Sequence, residues 1–144
     1  MTIAVDFDGT IVEERYPEIG AERPFATETL KMLIRDQHRI ILWTVREGEL
    51  LEEAVNWCKE RGVEFYAVNK DYPEENEKWN EHFSRKIKAD IWIDDRNIGG
   101  LPDWGQIYQM ISQGTNWKSL ISEASRRSIA DHELPKKKHW WSRK

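Results

Sequence analysis

Two short apolar runs in this chain lead into paired carboxylates. Ile3-Ala4-Val5 precedes Asp6-Phe7-Asp8, and Ile91-Trp92-Ile93 precedes Asp94-Asp95. Runs of this length that end in acid read as buried strands. Strands apolar along their whole length suit a parallel sheet, which is covered on both faces by crossover helices. That requirement constrains the fold more than any other feature of the chain.

The intervening sequence fits it. Arg39 to Thr44 reads as a second strand, Glu64 to Val68 as a third and Ala89 to Asp94 as the fourth. Between them, Thr27 is placed to cap a helix running to Arg35. Leu50, Leu51, Ala54, Val55 and Cys58 recur at helical spacing from Glu47 to Glu60, and Gly62 supplies a stop. Ile11 to Arg23 is polar and carries Pro17 and Gly20, which predicts a loop or small hairpin. Asp71 to Arg85 is ambiguous between loop and helix. Helices are expected near Trp104 to Ser112 and Trp117 to Ile129. Strand and helix alternate, so the fold class is α/β with a mostly parallel sheet.

The length of 144 residues fits a single domain, here taken as residues 1–134, followed by a basic tail over 135–144. The net charge is −4, and removing the five basic charges of the tail leaves a body at −9. An acidic body argues against nucleic acid as a partner. No stretch reaches the ~18 apolar residues of a membrane span, so no stable membrane association is expected. The N-terminus lacks the marks of a signal peptide. The single cysteine, Cys58, suits a reducing cytoplasm.

In open parallel sheets, ligands bind beyond the carboxyl ends of the strands. Asp6 with Asp8, Thr44, and Asp94 with Asp95 would gather there. Clustered buried carboxylates are costly without a cation. Oxygen-only ligands favour a hard ion, and beside phosphate that ion is Mg²⁺. A carboxylate so placed can attack phosphorus, given a metal, an acid/base and donors to the phosphoryl oxygens. Arg46 and Thr10 lie near enough in sequence to serve as substrate-binding groups.

Asp6-Phe7-Asp8-Gly9-Thr10 after an apolar strand resembles the first motif of the haloacid dehalogenase (HAD) superfamily. Thr44 is similar to the second motif, and Ile93-Asp94-Asp95-Arg96-Asn97 to the fourth. Lys86-Ile87-Lys88-Ala89-Asp90 resembles the third motif of small HAD phosphatases. The resemblance covers about Thr2 to Gly99. It implies a HAD-like Rossmannoid three-layer sandwich without a large cap domain. It further implies Asp6 as nucleophile and metal ligand, and Asp8 as general acid/base that lends its backbone carbonyl to the metal. Thr44 and Lys86 would hold the phosphoryl group, and Asp94 and Asp95 would complete the metal site. Lys86 precedes its strand, where the superfamily's lysine usually opens a helix on the catalytic edge, so Lys88 and Lys70 are competitors.

The expected function is therefore Mg²⁺-dependent hydrolysis of a phosphate monoester through an aspartyl-phosphate on Asp6. The alternatives are a catalytically weak or inactive HAD-like binding protein, or a phospho-acceptor receiver domain. The receiver has its acidic pair after the first strand and its phosphorylated aspartate in the middle, an order reversed here. The partner is a phosphorylated substrate. An uncapped site suits a large one, and a small metabolite fits if the C-terminal helices roof the site.

Overall fold

The computed structural model describes residues 1–75, 85–114 and Ser122. Its elements are β1 (Thr2–Val5), α1 (Ala26–Arg35), β2 (Arg39–Leu42), α2 (Gly48–Glu60), β3 (Ala67–Val68), β4 (Ile91–Ile93) and α3 (Trp104–Gln113). The chain divides into two compact units, Met1–Tyr108 and Gln109–Lys144. The first holds the whole sheet. The helix expected over Trp117 to Ile129 and the tail over 135–144 lie outside the described residues.

The four strands form one parallel sheet in the order β3-β2-β1-β4. The fold is α/β and Rossmann-like, as the sequence predicts, with β1 between β2 and β4. Val5 pairs with Leu42 on one side and with Ile93 on the other. Ile3, Val5, Ile40, Ile41 and Leu42 are all buried. Burying each such side chain contributes about 1.5–3 kcal/mol. On one face Ala4, Ile41, Ala67 and Ile87 form a cluster, with Trp43, Tyr66 and Ala89 packed against it.

β3 is shorter than its apolar run. Only Ala67 and Val68 join the ladder, although the Tyr66 N–H still donates to the Ile40 carbonyl at 2.8 Å. At the start of α1 the expected cap is also different. The residue before the helix is Phe25, in the left-handed region at φ 65°. Thr27 lies inside the first turn, and its backbone N–H donates to Glu22 Oε1 at 2.9 Å. The acceptor thus comes from the preceding loop, whose carboxylate also complements the helix dipole.

α2 ends as predicted. Gly62 takes φ 83°, and the Val63 N–H reaches back to the Cys58 carbonyl at 3.0 Å. The segment from Ile11 to Arg23 is a small hairpin. Glu13 N–H donates to Ala21 O at 2.8 Å, and Arg23 N–H to Ile11 O at 2.9 Å. Gly20 is required there, since a Cβ would lie 2.2 Å from the Glu13 carbonyl oxygen. The buried Trp104 opens α3 and donates its indole N–H to Thr10 O at 3.1 Å, tying the helix to the turn after β1.

Candidate active site

The ladder itself brings the acids together. Beyond Val5, the Asp6 N–H donates to Ile93 O at 3.0 Å, and the Trp43 N–H donates to Val5 O at 2.8 Å. Asp6, Thr44 and Asp94 therefore leave neighbouring strands at the same edge. The chain then turns sharply, with the Phe7 carbonyl accepting from the N–H groups of Thr10, Ile11 and Val12. Gly9 makes the turn at φ 80°, and a Cβ there would sit 2.4 Å from Asp95 Oδ2. Both conformation and close approach demand glycine.

Asp6, Asp94 and Asp95 can each place one carboxylate oxygen so that all lie within 4.8 Å of one another. Burial raises the Asp6 carboxyl to about 7. The Phe7 backbone N–H works against that rise, and the charges of Asp94, Asp95 and Asp8 add to it. Around Mg²⁺ adjacent ligand oxygens are about 3 Å apart and opposed ones about 4.2 Å, so this all-oxygen set suits such an ion once the carboxylates draw closer together. Asp95 is fixed by Thr10: its N–H donates to Thr10 Oγ1 at 3.0 Å, and the Thr10 hydroxyl donates to Asp95 Oδ1 at 3.3 Å. Thr10 is fully buried, which corrects its assignment as a substrate-binding group. It orients Asp95.

The Asp8 carboxylate is held by Arg46. Arg46 Nε donates to Asp8 Oδ2 and Nη2 to Asp8 Oδ1, each at 2.7 Å. Both side chains are buried. The carboxylate of Asp8 is therefore outside the acidic group of three, and only its backbone carbonyl is left for the metal role the resemblance implies. Arg46 is corrected as well. It does not line the pocket, and its remaining donors go to the carbonyls of Pro17 at 3.1 Å, Glu18 at 2.9 Å and Leu50 at 3.5 Å. The bond to Asp8 holds the guanidinium more strongly protonated than usual. The hairpin is thereby tied to the acid it overlies.

Thr44 lines the pocket. Its Oγ1 accepts from the Arg46 N–H at 3.2 Å, which leaves the hydroxyl proton to donate elsewhere. Its own N–H donates to Asn69 Oδ1 at 2.8 Å, so the end of β3 steadies this loop. Lys86 is not brought to the cluster. It is exposed, with Nζ 5.4 Å from the ring centre of Trp92. It precedes β4, at the end of the strand remote from Asp94, and its side chain cannot span the difference. Lys70 Nζ is likewise turned away, donating to Pro73 O at 2.7 Å.

The pocket has a volume of about 410 Å³. Besides Asp6, Asp8, Thr44 and Asp94 it is lined by Glu14, Tyr16, Trp43, Val45 and Arg96. Sequence reasoning gave no role to these five. Trp43 reads as a packing residue by strand alternation, but it lies just beyond β2, where alternation no longer applies. Arg96 directly follows the Asp94-Asp95 pair, and its N–H donates to Asp94 Oδ1 at 2.8 Å. That adjacency is the one signal that could have found it. Among the described residues, Arg96 is the cationic side chain lining the pocket.

No family profile matches the chain, and no curated protein does. Among solved structures it is similar to a conserved protein from Bacteroides thetaiotaomicron. The two are 65% identical over 83% of this chain and 96% of that one, with a TM-score of 0.78. At that identity and coverage, the chain belongs to the family of this conserved Bacteroides protein.

Proposed function

We propose that the chain is a Mg²⁺-dependent phosphate monoester hydrolase that works through an aspartyl-phosphate on Asp6. The observation that carries this reading is the convergence of Asp6, Asp94 and Asp95 beside Thr44 at the carboxyl edge of a parallel sheet. The ordered resemblance to HAD phosphatases supports it. Asp6, Asp94 and Asp95 would hold the ion, with the backbone carbonyl of Asp8. Bound there, Mg²⁺ would supply positive charge against the carboxylates and the phosphoryl oxygens.

The chain's own groups divide the remaining work. An Asp6 carboxylate oxygen attacks phosphorus, and the bond from phosphorus to the ester oxygen breaks. Asp8 first releases one oxygen from Arg46 and takes up a proton there, and then gives that proton to the departing oxygen. Water then attacks the acyl phosphate, Asp8 takes the proton back, and Asp6 leaves as carboxylate. The Thr44 hydroxyl and Arg96 bind the phosphoryl oxygens in both steps. Because Arg46 occupies both Asp8 oxygens, Asp8 must exchange one of these contacts for the departing oxygen.

That same clamp favours a second reading, a phosphate-binding protein with weak turnover. Incubation with a panel of phosphate monoesters, with and without Mg²⁺, separates the two. Mg²⁺-dependent release of phosphate that Asp6→Asn abolishes supports the hydrolase. Binding without release supports the alternative.

Among the described residues no helix is long and apolar enough to cross a membrane. A cytoplasmic location suits the lone cysteine. Cys58 is buried, and burial pushes its thiol up to about 12, which makes it unreactive.

A further inference from the structure

Three lining residues contribute nothing to metal or phosphoryl chemistry: Tyr16, Trp43 and Val45. Val45 is 83% exposed and Tyr16 50% exposed, so neither is needed to fill the core. Tyr16 is nonetheless held in place. The Tyr16 ring lies 5.3 Å from the Arg46 guanidinium carbon, and Arg46 is itself fixed by Asp8 and the hairpin carbonyls. Trp43 rests on the cluster around Ile41, and its N–H is bound to the Val5 carbonyl. Val45 directly follows Thr44 and lines the pocket beside it. Fixed apolar surface beside a reacting centre binds without paying for its own ordering.

The charges narrow the ligand further. Among the described residues, Glu14 joins Asp6 and Asp94 in the lining against the cation Arg96, while Arg46 takes up the charge of Asp8. Such a pocket tolerates one phosphoryl group, which the ion compensates. It disfavours a second phosphate or a carboxylate on the rest of the molecule. Its volume of about 410 Å³ suits a small ligand.

We propose that the alcohol portion of the substrate is a flat, uncharged aryl group, seated against Tyr16, Trp43 and Val45. This inference rests on the hydrolase reading for the phosphoryl half of the site. Binding of phenylphosphonate and of methylphosphonate is to be measured by titration calorimetry with Mg²⁺ present, and turnover of phenyl phosphate followed in parallel. Phenylphosphonate is expected to bind about tenfold or more tightly than methylphosphonate. Tyr16→Ala should collapse that ratio, and Tyr16→Phe, which keeps the ring, should retain it. Equal affinities in the wild type, no binding of either probe, or a ratio unmoved by Tyr16→Ala would overturn the inference. Phenyl phosphate turnover without aryl preference in binding sinks this inference alone. Aryl preference without turnover upholds the aryl site and sinks the hydrolase.

Discussion

Arg46 grips Asp8 with two parallel hydrogen bonds of 2.7 Å, Nε to Oδ2 and Nη2 to Oδ1, across 38 positions of sequence. Both side chains are buried, so each neutralises a charge the other could not carry alone. Arg46→Met should therefore destabilise the fold by about 3–5 kcal/mol, because Asp8 is left buried and unpaired. Arg46→Lys should recover only part of that, since an ammonium cannot make the planar fork. Denaturant unfolding of both variants reads the effect. A loss below about 1 kcal/mol in Arg46→Met would show that the pair contributes no more than a surface one.

Gly9 is the second sensitive point. A Cβ there meets Asp95 Oδ2 at 2.4 Å, and φ 80° strains any L side chain. Gly9→Ala should displace Asp95, lower the melting temperature and weaken Mg²⁺ binding by about tenfold or more. Titration calorimetry with Mg²⁺ checks it. Unchanged affinity would remove Asp95 from the ion's surroundings.

The pH response follows from Asp6. Its carboxyl is raised to about 7 in the metal-free fold by burial and by the neighbouring carboxylates, whereas the unfolded chain ionises in the ordinary range. Between about pH 4 and pH 7 the folded state thus holds the extra proton, and Asp6 makes stability fall as pH rises. Mg²⁺ needs the ionised form, so its apparent affinity should climb by up to about tenfold per unit on approaching pH 7, then level off. Melting curves with and without Mg²⁺ at about pH 6 and about pH 8 should show the larger stabilisation at the higher pH. Equal stabilisation at both would place the ion away from Asp6.

Arg96 and Lys86 make opposite predictions. Arg96 lines the pocket, and Lys86 rests beside Trp92. Arg96→Ala should lower kcat/KM by roughly 10²-fold, as expected for a lost donor to the phosphoryl group. Thr44→Val should cost a similar factor. Lys86→Ala should leave kcat/KM near the wild-type value. A large loss in Lys86→Ala with none in Arg96→Ala would restore the lysine to the phosphoryl site.

What could be read from sequence follows the range of the forces involved. β1, β2 and β4 were legible because buried parallel strands must be apolar along their length. The convergence of Asp6, Thr44 and Asp94 follows from that sheet alone. β3 was overextended, because Phe65 and Tyr66 are apolar yet only half-buried and outside the ladder. Thr27 looked like a helix cap, but Glu22 supplies the acceptor from the preceding loop. Arg46 reads from sequence as a substrate-binding residue. Its pairing with Asp8 depends on how the hairpin folds over the turn, and no local pattern encodes that. Tyr16 and Glu14 reach the pocket through the same hairpin and were invisible for the same reason.

The covalent intermediate is the central claim, and trapping it is its most direct test. The protein is mixed with a turned-over phosphate ester and Mg²⁺, quenched in acid and digested, and the phosphorylated peptide is located by mass spectrometry. The account predicts one phosphoryl group on Asp6, absent when Mg²⁺ is chelated and absent in Asp6→Asn. A phosphoryl group on Asp8, Asp94 or Asp95, or undiminished turnover by Asp6→Asn, would contradict it.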